Sequence, residues 1–247
     1  MVPVKEITKF DGRLFAIGDI HGCPAETEIL LTWLERNEGL NQDDTIIFIG
    51  DYIDRGTASK AVIEYLLEFK KKFPQTIFLK GNHEDMLLSF LGFEGTNGDA
   101  YIKNGGDTTL DSYGLPPNSA PEDVFARIPK SHIDFISNLD SVVRTKNHIF
   151  VHAGLNPRKP FSRQSLDDIY WIREGFIDEV HSFGKIIIFG HTPHAELLYD
   201  VPYKIGIDTG LVYGNKLSCI ELTHNVLYQI VSKGREIVVA NFPLASQ

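Results

Sequence analysis

Five short segments of the chain combine carboxylate, amide and imidazole side chains with glycine, and each directly follows an apolar run. They are residues 18–22 (GDIHG), 50–56 (GDYIDRG), 81–84 (GNHE), 151–154 (VHAG) and 190–194 (GHTPH). Short apolar runs of this kind are typical of buried β-strands, so each segment is expected in the loop where a strand ends. In α/β folds, ligands bind outside the carboxyl ends of the strands. The five loops are therefore expected to meet at one site.

The side chains of these loops form a set of candidate metal ligands. Asp19 and His21 are two residues apart, so in extended backbone they point the same way and can bind one ion together. Asp51, after the next strand, could bridge that ion to a second one through its two oxygens. The remaining ligands are expected to be Asn82, His152 and His191. Oxygen and imidazole ligands without thiolate suit Mn²⁺, Fe or Zn²⁺; the spacing alone does not choose among them, and manganese is our first expectation.

Two divalent ions held in this way suit the hydrolysis of phosphate esters. They polarise the phosphoryl oxygens and lower the pKa of a shared water until hydroxide is present near neutral pH. The leaving group needs a proton, which His83 could donate if Asp54 orients its ring and raises its pKa. Arg55 could bind phosphate oxygens with its planar guanidinium group, and Arg173 is a second candidate for this role.

Two further residues near the motifs have open interpretations. His194 either lies beside the site or is an ordinary loop residue. Asp208 precedes Thr209 and Gly210 after another predicted strand, and there a turn is the expected role. Any one motif is weak on its own, because a Gly-Asp pair after a strand is a common turn. The prediction of a metal site depends on all five motifs together.

Apolar periodicity predicts the elements that would position these loops. In the first ninety residues, strands at 14–17, 45–49 and 76–79 alternate with helices at 24–36, at 59–72 and after Gly81. This pattern is typical of a parallel sheet covered by helices. Residues from about 92 to 146 are expected to form a helical insertion beside the site. We predict one domain over residues 1–247.

The strands predicted after residue 149 are more closely spaced, which favours antiparallel pairing. They are 186–189, 203–207, 216–222, 226–231 and 236–240. A mixed α/β sandwich of two sheets flanked by helices accommodates both halves of the chain. This fold class is the one we predict.

Composition restricts the partners and the location. The 247 residues carry a formal charge of −9, which disfavours DNA or RNA as the main partner. The sequence contains no run of about 18 apolar residues, which is the length needed to span a bilayer, and residues 1–11 lack the apolar core of a signal peptide. Cys23 and Cys219 are the two cysteines, which fits a reducing compartment. We expect a cytoplasmic protein without a membrane partner, and the sequence does not indicate its oligomeric state.

The five motifs resemble those of the calcineurin-like metallophosphoesterases, and in particular their phosphoprotein phosphatase branch. The resemblance covers roughly residues 14–220, and GDYIDRG is its most specific segment. It implies a four-layer β-sandwich flanked by helices, and it implies a compact bacterial enzyme. It also implies that one ion is bound by Asp19, His21 and Asp51, and that a second is bound by Asp51, Asn82, His152 and His191. By the same resemblance, His83 is the general acid and pairs with Asp54, and Arg55 and Arg173 bind the phosphate.

This resemblance leads to our functional expectation. We predict a two-metal serine/threonine protein phosphatase, with phosphotyrosine or a small phosphorylated molecule as further candidate substrates. The alternative is a symmetrical dinucleoside tetraphosphate hydrolase, which uses the same centre. In the family those hydrolases usually lack Tyr52 and Asp54 of GDYIDRG in this form, which favours the phosphatase. A third interpretation is a metal-bound scaffold that recognises phosphorylated partners without turnover, and the presence of His83 and Asp54 argues against it.

Overall fold

Two six-stranded β-sheets pack against each other in the computed structural model, which describes residues 2–242. One, called here the β2 sheet, has the strand order β12-β11-β10-β2-β3-β4 and consists of β2 (Leu14–Ile17), β3 (Thr45–Phe48), β4 (Thr76–Phe78), β10 (Lys216–Glu221), β11 (Val226–Val231) and β12 (Ile237–Asn241). The other, the β6 sheet, has the order β1-β5-β6-β7-β9-β8 and consists of β1 (Val4–Glu6), β5 (Val142–Arg144), β6 (His148–Val151), β7 (Ile186–Phe189), β8 (Leu198–Asp200) and β9 (Lys204–Gly206).

Seven α-helices lie within residues 2–242. They are α1 (Pro24–Asn37), α2 (Ser59–Lys72), α3 (Asn82–Phe90), α4 (Gly106–Ser112), α5 (Pro121–Arg127), α6 (Lys130–Ser137) and α7 (Leu166–Trp171). The first three confirm the predicted helices. None of the seven combines the length and the apolar character that a membrane span requires.

Alternate residues of one strand face different hydrophobic clusters, as expected for buried strands. In β2, Phe15 and Ile17 pack with residues of α1 and α2, whereas Leu14 and Ala16 pack in the cluster between the two sheets. Phe150 of β6 lies in that same central cluster. Its neighbours Ile149 and Val151 face the other way, towards α7. The layers are therefore helices, β2 sheet, β6 sheet and α7, which confirms the predicted mixed α/β fold.

The region from 92 to 146 contains helices α4, α5 and α6, but it ends with strand β5 of the β6 sheet, so its helical part stops before residue 142. Buried side chains of α4, α5 and α6 belong to the same hydrophobic cluster as those of α2; they include Leu110, Val124, Ile133 and Ile136. Burial in this shared cluster holds the helices against the β2 sheet and next to the loops that follow β3 and β4.

Strand direction brings the motif loops to one edge of the sandwich. Strands β2, β3 and β4 pair in parallel, as predicted. Strands β10, β11 and β12 pair antiparallel, also as predicted. The expectation of antiparallel pairing is wrong for the strands around β7, which pairs in parallel with both β6 and β9. The chain returns through α7 after β6 and through β8 after β7, so these strands run in the same direction.

Candidate metal centre

All six predicted ligand side chains lie together and are buried, and four of them converge closely. The Nε2 atom of His152 lies 3.0 Å from Asn82 Oδ1 and 3.4 Å from Asp51 Oδ1. His191 Nδ1 lies 2.9 Å from the same Asn82 oxygen. One potential ligand atom from each of these residues therefore points into one small space.

The second oxygen of Asp51 faces a different imidazole. His21 Nε2 lies 3.3 Å from Asp51 Oδ2, while His152 lies on the side of Oδ1. Ligand atoms of His21, Asp51 and His83 lie within 4.8 Å of one another, and so do those of Asp51, His152 and His191. Asp51 is common to both groups, as expected of a carboxylate that bridges two ions, but the first group contains His83, the predicted acid, in place of the predicted ligand Asp19.

Asp19 has an oxygen that the protein leaves without a hydrogen bond. Its Oδ2 accepts from the backbone N–H of His191 at 2.9 Å. Its Oδ1 is buried and has no partner among residues 2–242. A buried carboxylate oxygen without a partner is costly unless a cation neutralises it. The oxygen and imidazole donor set also suits divalent Mn, Fe or Zn, so the residues present fit a metal centre.

Electrostatics in the site are dominated by burial and by neighbouring carboxylates. Burial raises the pKa of Asp19 well above its ordinary value, and the charges of Asp208 and Asp51 raise it further. Burial also disfavours the charged form of Asp51, but the charges of His152, His83 and His21 hold the pKa of this carboxyl well below its usual range. Cations bound between Asp19 and Asp51 would relieve their mutual repulsion.

Five site residues adopt left-handed backbone conformations, which residues other than glycine rarely adopt. Their φ angles are 44° for His21, 52° for Asp51, 71° for Asp54, 67° for Arg55 and 64° for His191. Each such residue costs roughly 1–3 kcal/mol and persists only where its surroundings enforce it. Only three other non-glycine residues in 2–242 have positive φ, so this strain is concentrated at the site.

Two glycines allow the loops to approach the carboxylates. A Cβ atom added at Gly81 would clash with Asp51 Oδ1, and one added at Gly190 would clash with Asp19 Oδ1. Both contacts are closer than side-chain carbon atoms allow. The glycines of GNHE and GHT are thus required for the ligand loops to pack together.

Glu84 is a site residue whose role the sequence analysis missed. Its fully buried carboxylate accepts four backbone N–H groups: Oε2 from Gly81 at 2.9 Å and Asp51 at 3.0 Å, and Oε1 from Tyr52 at 2.8 Å and Ile53 at 3.3 Å. Burial, with the nearby charge of Asp51, raises its pKa to about 7. This carboxylate joins the loop after β3 to the loop after β4. The spacing of Glu84 three residues after Gly81, at the start of a helix, resembles a capping box and could have indicated this role.

His83 and Asp54 form the predicted pair. His83 Nδ1 lies 2.7 Å from Asp54 Oδ2. The other carboxylate oxygen, Oδ1, accepts from Thr109 Oγ1 at 2.6 Å and from Tyr101 Oη at 3.0 Å. Burial lowers the pKa of His83 overall, although Asp51 and Asp54 act to raise it, so the predicted rise is not the net result. Neither Tyr101 nor Thr109 lies in one of the five motifs, so the sequence did not indicate their contact with Asp54.

The nitrogen of His83 that does not contact Asp54 is directed towards Asp51, one of the predicted metal ligands. His83 Nε2 lies 4.0 Å from Asp51 Oδ2, is buried, and has no hydrogen-bond partner among residues 2–242. An imidazole fixed at one nitrogen and unpartnered at the other can exchange a proton with a substrate bound there.

The two candidate arginines contact different parts of the site. Arg55 Nη1 lies 2.6 Å from His21 Nε2. Arginine only donates, so this nitrogen of His21 accepts, which leaves the proton on Nδ1, 2.8 Å from the backbone oxygen of Ile53. Arg173 donates from Nε to His191 Nε2 at 3.0 Å and from Nη2 to the backbone oxygen of His191 at 3.2 Å. Both guanidinium groups thus lie beside predicted metal ligands.

Asp208 belongs to the site as well as to a turn. The predicted turn is present, since Asp208 Oδ1 accepts from the backbone N–H of Gly210 at 2.9 Å. The side chain is also buried at the carboxyl end of β9, and its charge raises the pKa of Asp19. Next to it, His194 donates its backbone N–H to Asp208 O at 3.0 Å and leaves Nε2 without a partner among the described residues.

Comparison with known proteins establishes the class to which this site belongs. The calcineurin-like phosphoesterase family matches residues 12–218. The chain belongs to this family, which confirms the broader resemblance seen in the motifs. Members normally bind two divalent metal ions, and the two buried groups of potential ligands agree with this.

Relatives that match most of the chain are named as one particular kind of phosphoesterase. The chain is 28% identical over 242 residues to the asymmetrical bis(5′-nucleosyl)-tetraphosphatase PrpE of Oceanobacillus iheyensis, covering 90% of this chain and 93% of that one. It is 30% identical over 222 residues to the Bacillus mycoides protein that is also named asymmetrical bis(5′-nucleosyl)-tetraphosphatase PrpE. That match covers 82% of this chain and 87% of the Bacillus mycoides protein. A crystal structure assigned provisionally as a diadenosine tetraphosphatase superposes on this structure with a TM-score of 0.72 and is 22% identical in sequence. The match covers 94% of this chain and 99% of that one, and it shows that the two share a fold.

These names overturn the functional expectation. The prediction of a serine/threonine protein phosphatase is wrong, and so is the alternative of a symmetrical tetraphosphatase, because the relatives are named as asymmetrical tetraphosphatases. Nor do those names support a scaffold without turnover. The bacterial serine/threonine phosphatase type is likewise not confirmed.

The structure explains why GDYIDRG could not decide the substrate. Tyr52 is fully buried and donates from Oη to the backbone oxygen of Leu79 at 2.7 Å, and Asp54 is fully buried against His83. Neither side chain is exposed to whatever group carries the phosphate. Both therefore stabilise the catalytic loops, and such residues suit either substrate class.

Proposed function

We propose that this protein is a metal-dependent hydrolase that cleaves dinucleoside tetraphosphates asymmetrically, into a nucleoside triphosphate and a nucleoside monophosphate. The observation that carries the metal-dependent chemistry is the position of Asp51, whose two oxygens face different groups of ligands. The substrate class is supported by the names of relatives that match most of the chain. A small phosphorylated substrate also agrees with the net charge of −9, which disfavours long nucleic acids.

The proposed centre divides its ligands between two ions, with manganese as the first candidate. Asp19, His21 and Asp51 would hold one ion, and Asp51, Asn82, His152 and His191 would hold the other. When bound, the ions would stabilise charge on the phosphoryl oxygens and supply hydroxide from water near neutral pH. Because Asp51 would take part in both sets, its loss should affect both ions.

The remaining side chains would bind and orient the substrate. Arg55, against His21, and Arg173, against His191, would bind phosphoryl oxygens from two directions and limit rotation of the phosphate. His83 would give a proton from Nε2 to the leaving oxygen, since its Nδ1 is held by Asp54. Asp54 is itself held by Thr109 and Tyr101, which keeps the ring of His83 in place.

Product analysis tests this proposal. Purified protein is incubated with diadenosine tetraphosphate with and without Mn²⁺, and the nucleotides are separated by anion-exchange chromatography. We expect ATP and AMP in equal amounts, formed only in the presence of metal. ADP as the sole product would contradict asymmetrical cleavage. Absence of nucleotide products, together with rapid release of phosphate from a phosphoserine peptide, would contradict the substrate class.

A further inference from the structure

Tyr213 presents an exposed aromatic ring next to the proposed phosphate-binding arginine. The central guanidinium carbon of Arg55 lies over this ring, 5.7 Å from its centroid. The tyrosine is nevertheless 62% exposed. Isolated exposed aromatic residues are common and need no explanation. This one differs because the residue it contacts also contacts the metal ligand His21.

The backbone that carries Tyr213 is firmly held. The residue ends a 3₁₀ turn, Leu211–Tyr213, that follows the Asp208 turn at the edge of the site. The backbone N–H groups of Tyr213 and Asn215 both donate to Gly210 O, at 3.0 and 3.2 Å, and Leu211 is buried beneath them. A ring on such a fixed backbone loses little conformational entropy when a ligand binds.

We propose that Tyr213 stacks on a nucleobase of the substrate while Arg55 binds the phosphate of the same nucleotide. This inference rests on the proposed function, because it requires a nucleotide substrate. Aromatic side chains stack on bases of any sequence, since every base has a π-face. The contact between Arg55 and Tyr213 places a phosphate-binding group directly beside a base-binding group.

This placement also bears on the position of cleavage. In a nucleotide only the ribose separates the base from the first phosphate. If the base lies on Tyr213, the phosphate beside Arg55 and the metal ligands is the first phosphate of the chain. When water attacks that phosphorus, a new P–O bond completes the nucleoside monophosphate, and the P–O bond to the second phosphate breaks. The other three phosphates then leave with the second nucleoside as a nucleoside triphosphate. The stacked base would therefore direct asymmetrical cleavage.

Calorimetric titration of the manganese-loaded protein tests the stacking contact without relying on turnover. AMP and inorganic phosphate are titrated separately into the wild type and into Tyr213→Ala. Loss of a base-stacking side chain should weaken AMP binding roughly 5- to 100-fold, without a comparable change for inorganic phosphate. Tyr213→Phe keeps the ring and should bind AMP nearly as the wild type does.

Tyr199→Ala is the matched control, because Tyr199 is also exposed, at 40%, but lies on strand β8. It should change neither titration. Equal weakening of AMP and phosphate in Tyr213→Ala would mean that the tyrosine acts only through Arg55, and unchanged AMP binding would mean that it does not contact the base. Either result would overturn the inference.

The two proposals can fail separately. If the wild type does not hydrolyse diadenosine tetraphosphate, the proposed function fails, whatever the titrations show. If it forms ATP and AMP but Tyr213→Ala binds AMP as tightly as the wild type, only the stacking inference is wrong.

Discussion

The two sheets supply the two halves of the proposed metal centre, and they hold their side chains in different ways. In the half built on the β2 sheet, the buried carboxylates of Glu84 and Asp54 fix the loops and the ring of His83. In the half built on the β6 sheet, the second nitrogens of the two histidines contact a backbone oxygen and an arginine: Ile49 O for His152 and Arg173 for His191. The first half is therefore held by buried carboxylates of its own, whereas the histidine rings of the second half are held by a backbone oxygen and an arginine.

The second half is also supported by the first. Ile49 O, which contacts His152, directly follows β3, and Asp19, which accepts from the backbone of His191, follows β2. Both supporting groups belong to the β2 sheet. The β6 sheet thus contributes ligands whose orientation depends on contact between the sheets. Substitutions in the β2 half should consequently affect both metal positions, and this expectation can be tested residue by residue.

Asp51→Asn should have the largest effect. The neutral amide removes the charge shared by both ligand groups, so both ions should be lost together with activity. The rate should fall about 10⁴-fold or more, because the electrostatic stabilisation of the transition state depends on the ions. Metal content by mass spectrometry and turnover of diadenosine tetraphosphate check this. A variant that retained two ions per chain would rule out Asp51 as the bridge.

His83→Asn should act on the chemistry alone. Metal content should stay near that of the wild type, while hydrolysis of alkyl phosphates should slow by roughly 10² to 10⁴. The effect on diadenosine tetraphosphate should be smaller, since its leaving phosphate is a weaker base than an alkoxide and needs a proton less. The comparison is made by measuring kcat for both substrates. A loss of metal equal to the loss of activity would instead make His83 a ligand.

Glu84→Gln should weaken metal binding without removing any ligand. In glutamine, an NH₂ group replaces one of the two carboxylate oxygens. Its N–H groups would face two of the four backbone N–H groups that now donate to Glu84, so those hydrogen bonds would be lost. We expect metal affinity to fall about 10- to 100-fold and the free energy of unfolding to fall by about 1–3 kcal/mol. Metal titration and urea unfolding measure the two effects. Glu64→Gln, on the exposed face of α2, is the control, and equal behaviour of the two variants would show that Glu84 does not position the loops.

His148, the first residue of β6, lies outside the proposed metal centre and should give an effect on stability alone. Burial, with the charge of Lys185, lowers its pKa from 6.5 to about 4. As the pH falls, His148 is therefore protonated in the unfolded chain before it is protonated in the folded one. The free energy of unfolding should keep its full value above pH 6.5 and should decrease by at most about 3 kcal/mol as the pH drops towards 4. Urea unfolding from pH 7.5 to 4.5 should show a shallower decline for His148→Gln. Parallel pH curves for the wild type and this variant would contradict the assignment.

Features encoded locally could be predicted from the sequence. Five of the six predicted ligands lie next to a glycine, and His152 lies two residues before Gly154. Each of their motifs follows an apolar run that was predicted as a strand. Strands β1, β5 and β8 were missed, because three residues are too few to show an alternating pattern. The equally short β4 and β9 were predicted within longer segments, 76–79 and 203–207. Helix α7, with six residues, was missed for the same reason.

Features that depend on contacts distant in sequence could not be predicted. Thr109 reaches Asp54 across 55 positions, and Tyr101 does so across 47. The parallel direction of β7 depends on the path of the chain through α7 and β8, which spacing does not show. The substrate was mispredicted because Tyr52 and Asp54 are buried behind the site, whereas Tyr213, proposed to contact the base, lies in a turn outside every motif.

Electron paramagnetic resonance of the protein loaded with Mn²⁺ tests most directly whether the two halves form one centre. If Asp51 bridges two ions, the spectrum at two Mn²⁺ per chain should show exchange coupling between them, and Asp51→Asn should lose the coupled signal. A spectrum of isolated Mn²⁺ at the same loading, or saturation at one ion per chain, would contradict a shared centre.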